Sequence, residues 1–304
     1  MPNDRTRRFT LPGIHELNKS QDAALALPME GQHLIIGGPG TGKSVVALLR
    51  ARRLGEANMT HGVLVYNKLL QHSNSHLFGK DQPFFAGTWD GWFRRHFKER
   101  LSLDVPTLAP DYPGGYRPID WKTVEGQVQS LDNVPDQSDK FIVIDEGQDM
   151  PPAFYETLKN LGFENFYVAA DQNQQIHPDK CSSRQNIENT LAIESEETLE
   201  LKTNYRNTLP IALLAQHFYP DDPASPKPDL PDLIPAAETP ELWTYGKANT
   251  ATLDAIADNI LQLSDRNIRK LIGIITPNHK VREKFNDALS RANPKLDNDK
   301  PPIQ

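Results

Sequence analysis

The chain has 304 residues, 38% hydrophobic and 24% charged, with a formal net charge of −7 at pH 7. That length accommodates two domains with cores of their own, and the acidic balance excludes a constitutively basic nucleic-acid binder whose affinity comes from many phosphate contacts. A single cysteine, Cys181, excludes an intramolecular disulfide, a thiolate zinc cage and an iron–sulfur cluster.

The opening MPNDRTRRFTLPG has no apolar signal core, and no apolar run approaches membrane-spanning length. The expectation is a cytoplasmic protein with no membrane partner. The run Leu34 to Ile36 predicts a short buried strand, and Val45 to Leu54 predicts a helix. Between them, Gly37 to Ser44 reads G-x-x-x-x-G-K-S, the P-loop pattern for a nucleoside triphosphate. Gly38, Gly40 and Gly42, with Pro39 and Thr41 between them, let the backbone curl so that its N–H groups face a β-phosphate, and the helix beginning near Lys43 adds its positive dipole end. Lys43 reaches for the β- and γ-phosphates, and the Ser44 hydroxyl holds Mg²⁺.

A second strand is expected over GVLVYN, Gly62 to Asn67. In QHSNSH, His72 and His76 have the four-residue spacing of a helical metal pair, but no further ligand follows at a suitable interval. A solvated helix face is the better reading there. WFRRHFKER, Trp92 to Arg100, gathers four Arg/Lys residues around aromatics. It reads either as a strip for a nucleic-acid backbone or as the polar face of a helix. Residues 98–139, broken by prolines and Gly114–Gly115, predict a small insertion.

KFIVIDE, Lys140 to Glu146, is a buried strand that delivers two acids to its carboxyl end. Asp145 is placed to orient Mg²⁺, and Glu146 to act as base toward an attacking water. A helix over Pro152 to Leu161 and a strand over NFYVAAD, Asn165 to Asp171, complete a doubly wound parallel α/β pattern. Ligands of such sheets sit at the carboxyl ends of the strands, where the P-loop, Asp145, Glu146 and Asp171 all fall. Farther on, 219–235 is too proline-rich for a helix or central strand. ELWTYG (241–246), a helix over 250–263, LIGIIT (271–276) and a helix over 280–292 predict another strand–helix–strand–helix unit. The tail 293–304 has no periodicity, and no internal repeat is visible.

In order along the chain, LNKSQ (17–21), the P-loop, D-E-x-Q-D at 145–149, VAADQNQQI, LKTNYRN and IGIITPNHKVREKFNDAL (272–289) resemble the Q motif and motifs I, II, III, IV and IVa of UvrD/Rep-type superfamily-one helicases. The resemblance covers most of the chain. It implies a RecA-like parallel sheet with flanking helices over 1–200, carrying the insertion, and an incomplete second RecA-like lobe over 201–304 with a proline-rich loop at 219–235. It further implies that the Gln21 amide reads adenine, Gln174 senses the γ-phosphate, Tyr205 stacks on the base and Arg206 acts as an arginine finger from the second lobe. ATP and Mg²⁺ are the implied cofactors, and single-stranded DNA the implied partner.

The DNA-facing motifs match less closely. VYNKLL keeps Asn67 and Lys68, GTWDGWF keeps Thr88 and an aromatic at Trp89 but has Asp90 for a histidine, and His177 and Asp179 stand where the family has a stacking Tyr and Trp. Motifs V and VI have no counterpart before Gln304. The resemblance therefore implies a Mg²⁺-dependent ATPase core of a helicase or translocase, with DNA binding by this chain weak and the second lobe completed by further sequence or by a protein partner. The alternative is a non-translocating ATP-gated adaptor that signals to a partner such as a nuclease. A plain nucleotide kinase would not need the D-E-x-Q-D, Gln174 and Tyr205–Arg206 set.

Overall fold

Four continuous apolar runs form strands because both of their faces are buried, which removes the polar alternation that a half-exposed strand would need. They are β1 (Gln32–Gly37), β2 (Thr60–Val65), β4 (Lys140–Asp145) and β5 (Asn165–Ala170). With the shorter β3 (Phe84–Thr88) and β6 (Leu199–Leu201) they make one sheet, all parallel, in the order β3-β2-β4-β5-β1-β6. The computed structural model describes residues 13–65, 84–110, 115–134, 136–175, 181–219, 225–231, 239–244, 249–267 and 272–292. Asn67, Lys68, His72, His76 and His177 lie outside the described residues. The chain divides into two compact units, Met1–Pro240 and Glu241–Gln304.

In the first unit, alternate strand residues feed two cores. Leu34, Ile36, Leu64, Ile142, Ile144, Phe166 and Val168 face one side, where α3 (Trp89–Leu101), α4 (Trp121–Gln129), α5 (Pro152–Asn160) and α6 (Arg184–Leu191) contribute Phe93, Phe97, Val124, Phe154 and Ile187. Ile35, Val63, Val65, Val143, Tyr167 and Ala169 face the other, under α1 (Lys19–Ala26) and α2 (Lys43–Glu56). The expected insertion folds into the first of these cores. Val105, Ile119, Val124 and Val128 are buried there, and Thr107 and Ile119 form an antiparallel bridge. Two arginines dock α1 onto α2: Arg50 donates to Leu27 O at 2.7 Å, and Arg53 to Leu25 O at 2.7 Å.

After β6 comes α7 (Leu209–Gln216). The chain then returns beside β6, where Asp229 N donates to Lys202 O at 2.7 Å and Thr203 pairs with Asp229 in a parallel bridge. Part of the proline-rich segment is thus docked on the first unit.

The second unit corrects an expectation. The described parts of the two predicted strands, 241–244 and 272–276, pair with no strand among the described residues. Leu242 is 88% and Ile275 99% exposed. Apolar residues supply a strand's side-chain pattern, but its N–H and C=O groups also need a neighbouring ladder, and among the described residues these segments have none. The unit's described core is a helix pair, α8 (Thr250–Arg266) and α9 (His279–Ala292). Leu253, Ala257 and Leu261 meet Ala288, Leu289 and Ala292, and Arg291 pairs with Asp254 at 2.6 Å. Among the described residues no helix is long and apolar enough to cross a membrane.

Candidate nucleotide site

Because β1, β4, β5 and β6 are parallel, their carboxyl ends share one edge, and β5 stands between the P-loop strand and the strand ending in Asp145. The P-loop turn needs glycine at two points. Gly40 (φ 83°) and Gly42 (φ 90°) lie in the left-handed region, where a Cβ would also run into Asn204 and the Gln21 amide respectively. Gly42 caps α2, and the first helical N–H groups, those of Lys43 and Ser44, have no acceptor among the described residues. They form the donor end of a 14-residue helix whose dipole favours an anion. The Thr41 hydroxyl donates to Gly38 O at 2.8 Å and braces the loop.

Lys43 is 6% exposed and bridges the edge, donating to Gly38 O at 3.0 Å and to Asp171 Oδ2 at 3.2 Å. Asp171, 1% exposed at the end of β5, also accepts from the Gln174 amide at 2.8 Å. Burial raises its pKa, against the pull of Lys43. Next to it, burial and the neighbouring Glu146 charge push Asp145 up to about 6, while the Ser44 hydroxyl bonded to it and the Lys43 ammonium pull the other way. A buried carboxylate with a hydroxyl beside it is a hard-oxygen pair suited to Mg²⁺. The residues present fit a magnesium-bound triphosphate: a row of N–H donors, a buried lysine and an oxygen pair at one end.

Glu146 follows in the left-handed region at φ 59°, a cost of roughly 1–3 kcal/mol for a residue with a Cβ. Its side chain is half-buried. Gln148, fully buried, donates to Glu146 Oε2 at 2.9 Å and accepts from Asp171 N at 2.8 Å. Asp149 is also pushed up to about 6, by burial first and then by the charges of Glu146 and Asp171.

The segment after β6 closes the other flank. Asn204, 4% exposed, accepts from the N–H groups of Arg206 and Asn207, both at 3.1 Å, and Tyr205 N donates to Gly40 O at 2.9 Å. Tyr205 and Arg206 therefore sit on the unit that carries the P-loop. The Tyr205 ring is 58% exposed, and its hydroxyl accepts from Asn18. Gln21 is 6% exposed: its amide nitrogen donates to Thr41 O at 3.0 Å, and its amide oxygen accepts from Asn18 N at 3.2 Å, within the capping box of α1. The exposed Arg206 guanidinium has no ion-pair partner among the described residues. Above the loop, Pro228 packs against Gly38, and Asn173 donates to the Ser225 carbonyl at 3.5 Å.

The expected DNA-facing residues fare differently. Thr88 precedes α3 as its N-cap, with no capping bond from its side chain. Trp89 is 9% exposed, stacks on Trp121 at 6.3 Å and meets Phe154 edge-on at 5.3 Å. Its ring is a core component and offers no free face to a base. The basic strip resolves into the polar side of α3, whose Phe93 and Phe97 point inward. Arg94 pairs with Asp90 at 3.0 Å, Lys98 with Asp104 at 2.8 Å, and Arg100 donates to Gln137 at 2.6 Å.

Sequence reasoning assigned no role to Gln148, Asp171 or Asn204. The first lies inside D-E-x-Q-D and the last inside LKTNYRN, where an Asn two and three residues before the N–H groups it caps has the spacing of an Asx turn. No protein-family profile matches the chain, and no curated protein matches it in sequence. Among solved structures it is similar to Bacteroides Pif1 bound to ssDNA, with a TM-score of 0.35 and 12% identity over 66% of this chain and 44% of that one. The chain thus spans less than half the length of that structure, and the reading of the site rests on its own geometry.

Proposed function

We propose that this chain is the Mg²⁺-dependent ATPase core of a superfamily-one, UvrD-like helicase or translocase that acts on single-stranded DNA in the cytoplasm. One observation carries the reading: Lys43, the Ser44–Asp145 pair, Glu146 and Gln174 converge on one edge of a parallel sheet, beside a helix N-terminus with free donors. Bound Mg²⁺·ATP, held by Ser44 and Asp145, would supply charge neutralisation at the phosphate oxygens.

The protein's own groups do the rest. Glu146 accepts a proton from the attacking water, whose oxygen bonds the γ-phosphorus as the bridge to the β-phosphate breaks. Lys43 moves its charge from Asp171 toward the phosphates, and Gln174, bonded to the same carboxylate, registers that change. The exposed Tyr205 ring is the platform for adenine, and Gln21 turns its amide from Thr41 to the base edge. Arg206 supplies charge to the transferring phosphoryl group. In this reading 1–200 is the first RecA-like domain, with its insertion at 98–139, and 201–304 begins a second lobe whose part up to Pro240, Tyr205 and Arg206 included, belongs to the compact unit of the first.

The second reading is an ATP-gated adaptor that signals to a protein partner. The burial of Trp89 and the pairing of the α3 cations favour it, since both remove groups that a DNA track would use. Turnover with and without single-stranded DNA, together with strand displacement, separates the two. Strong stimulation by DNA supports the motor, unstimulated ATP turnover supports the adaptor, and absence of ATP turnover removes both.

A further inference from the structure

Resting on the ATPase reading above, we infer that Gln148 is the positioning residue of hydrolysis, fixing the Glu146 carboxylate and holding it in register with the end of β5. The base needs such a guide. Its backbone is in the left-handed region, its side chain is half-buried, and the bond from Gln148 Nε2 at 2.9 Å is the hydrogen bond its carboxylate makes among the described residues. That bond occupies Oε2 and leaves Oε1 to receive a proton.

Gln148 is itself pinned on both sides. Its amide oxygen accepts from Asp171 N at 2.8 Å, and its backbone carbonyl accepts from Ser182 N at 2.9 Å. With 0% exposure it has no water to exchange with. A primary amide suits this position because it donates to a carboxylate through one atom and accepts from a backbone N–H through the other, a pairing that an ionised carboxylate cannot make. The strand end it grips carries the Asp171 carboxylate that holds Lys43. One side chain thus sets the distance between the base and the phosphate-binding lysine.

The test is a double-mutant cycle on the full chain, read by steady-state ATP turnover and thermal unfolding. Gln148→Met keeps the chain length of the side chain and loses both bonds. It should lower kcat by about 10²-fold, the scale of a catalytic group misplaced by about 1 Å, while KM for ATP stays near the parent value. Added to Glu146→Gln, the same change should cost nothing further. Gln148→Glu keeps the acceptor for Asp171 N and loses the donor to Glu146, so it should reproduce the kcat loss, and it carries the cycle alone if the Met variant does not fold. Equal losses in both backgrounds, a change confined to KM, or parent-level kcat would overturn the inference and leave the ATPase reading intact. A parent chain without ATP turnover would overturn both.

Discussion

The two units bury their residues in different ways. In the first, each central strand is covered on both faces, and the sheet is stiff enough to hold Lys43, Asp145, Asp171 and Gln148 almost out of solvent at the strand ends. In the second, the described core is one seam of small and medium side chains between α8 and α9, with Leu242 and Ile275 left in solvent. Buried charge is tolerated only where surrounding groups are fixed well enough to pair or bond it. The candidate chemistry, Tyr205 and Arg206 included, accordingly gathers on the unit with two-sided burial.

The largest expected effect tests that concentration at its centre. Glu146→Gln keeps the size of the side chain and removes the base, so turnover should fall by about 10²–10⁴ while ATP binding persists. Turnover near the parent rate would move the base elsewhere. Arg206→Ala should lower turnover by about 10³ with binding through the P-loop kept. Parent-like turnover in that variant would mean that the remaining residues of the first unit suffice for hydrolysis.

Stability sharpens the contrast. Ile144→Ala, in the centre of the sheet, should cost about 2–5 kcal/mol, and Leu289→Ala, on a seam with fewer neighbours to lose, only about 2 kcal/mol. Urea unfolding checks this through tryptophan fluorescence, which Trp89, Trp92 and Trp121 make a report chiefly on the first unit, and through helical circular dichroism. Equal shifts of both signals by both variants would show one cooperative body and erase the distinction.

The smallest effect is a pH dependence. Asp149 is raised from its ordinary 3.8 to about 6 by burial and by neighbouring acids. A raised carboxyl contributes stability that is full below its unfolded value and is lost as pH rises through about 6. His33 and His61, lowered by burial, and His96, lowered to about 4, act in the opposite sense and are common to parent and variant. The melting temperature of Asp149→Asn minus that of the parent should therefore increase between about pH 4 and pH 6. A flat difference would place Asp149 in a better-solvated position than its surroundings indicate.

How much of this was legible in the sequence depends on whether a residue's partner is local. The P-loop, the buried strands and the placement of Asp145 and Glu146 could be read directly, because two-sided burial produces continuous apolar runs and the glycine turn has a fixed spacing. Gln148 was visible as a letter, but the bond it accepts from Asp171 N depends on β4 and β5 being neighbours, which is a matter of sheet order. Trp89 was expected to face DNA because its motif position hid the helix face that turns it onto Trp121. The runs at 241–246 and 271–276 looked like strands because apolar content does not state whether a ladder partner exists. The docking of 225–229 beside the P-loop was hidden by prolines that read only as a loop.

The central claim, that this sheet edge is a magnesium-dependent ATP site, is tested most directly by calorimetric titration of the unmodified chain with ATP in the presence and absence of Mg²⁺. The account predicts saturable binding that Mg²⁺ strengthens, that GTP matches only several-fold more weakly, and that Lys43→Met abolishes while its circular dichroism stays that of the parent. No saturable ATP binding by the parent, or equal binding by a folded Lys43→Met chain, would contradict it.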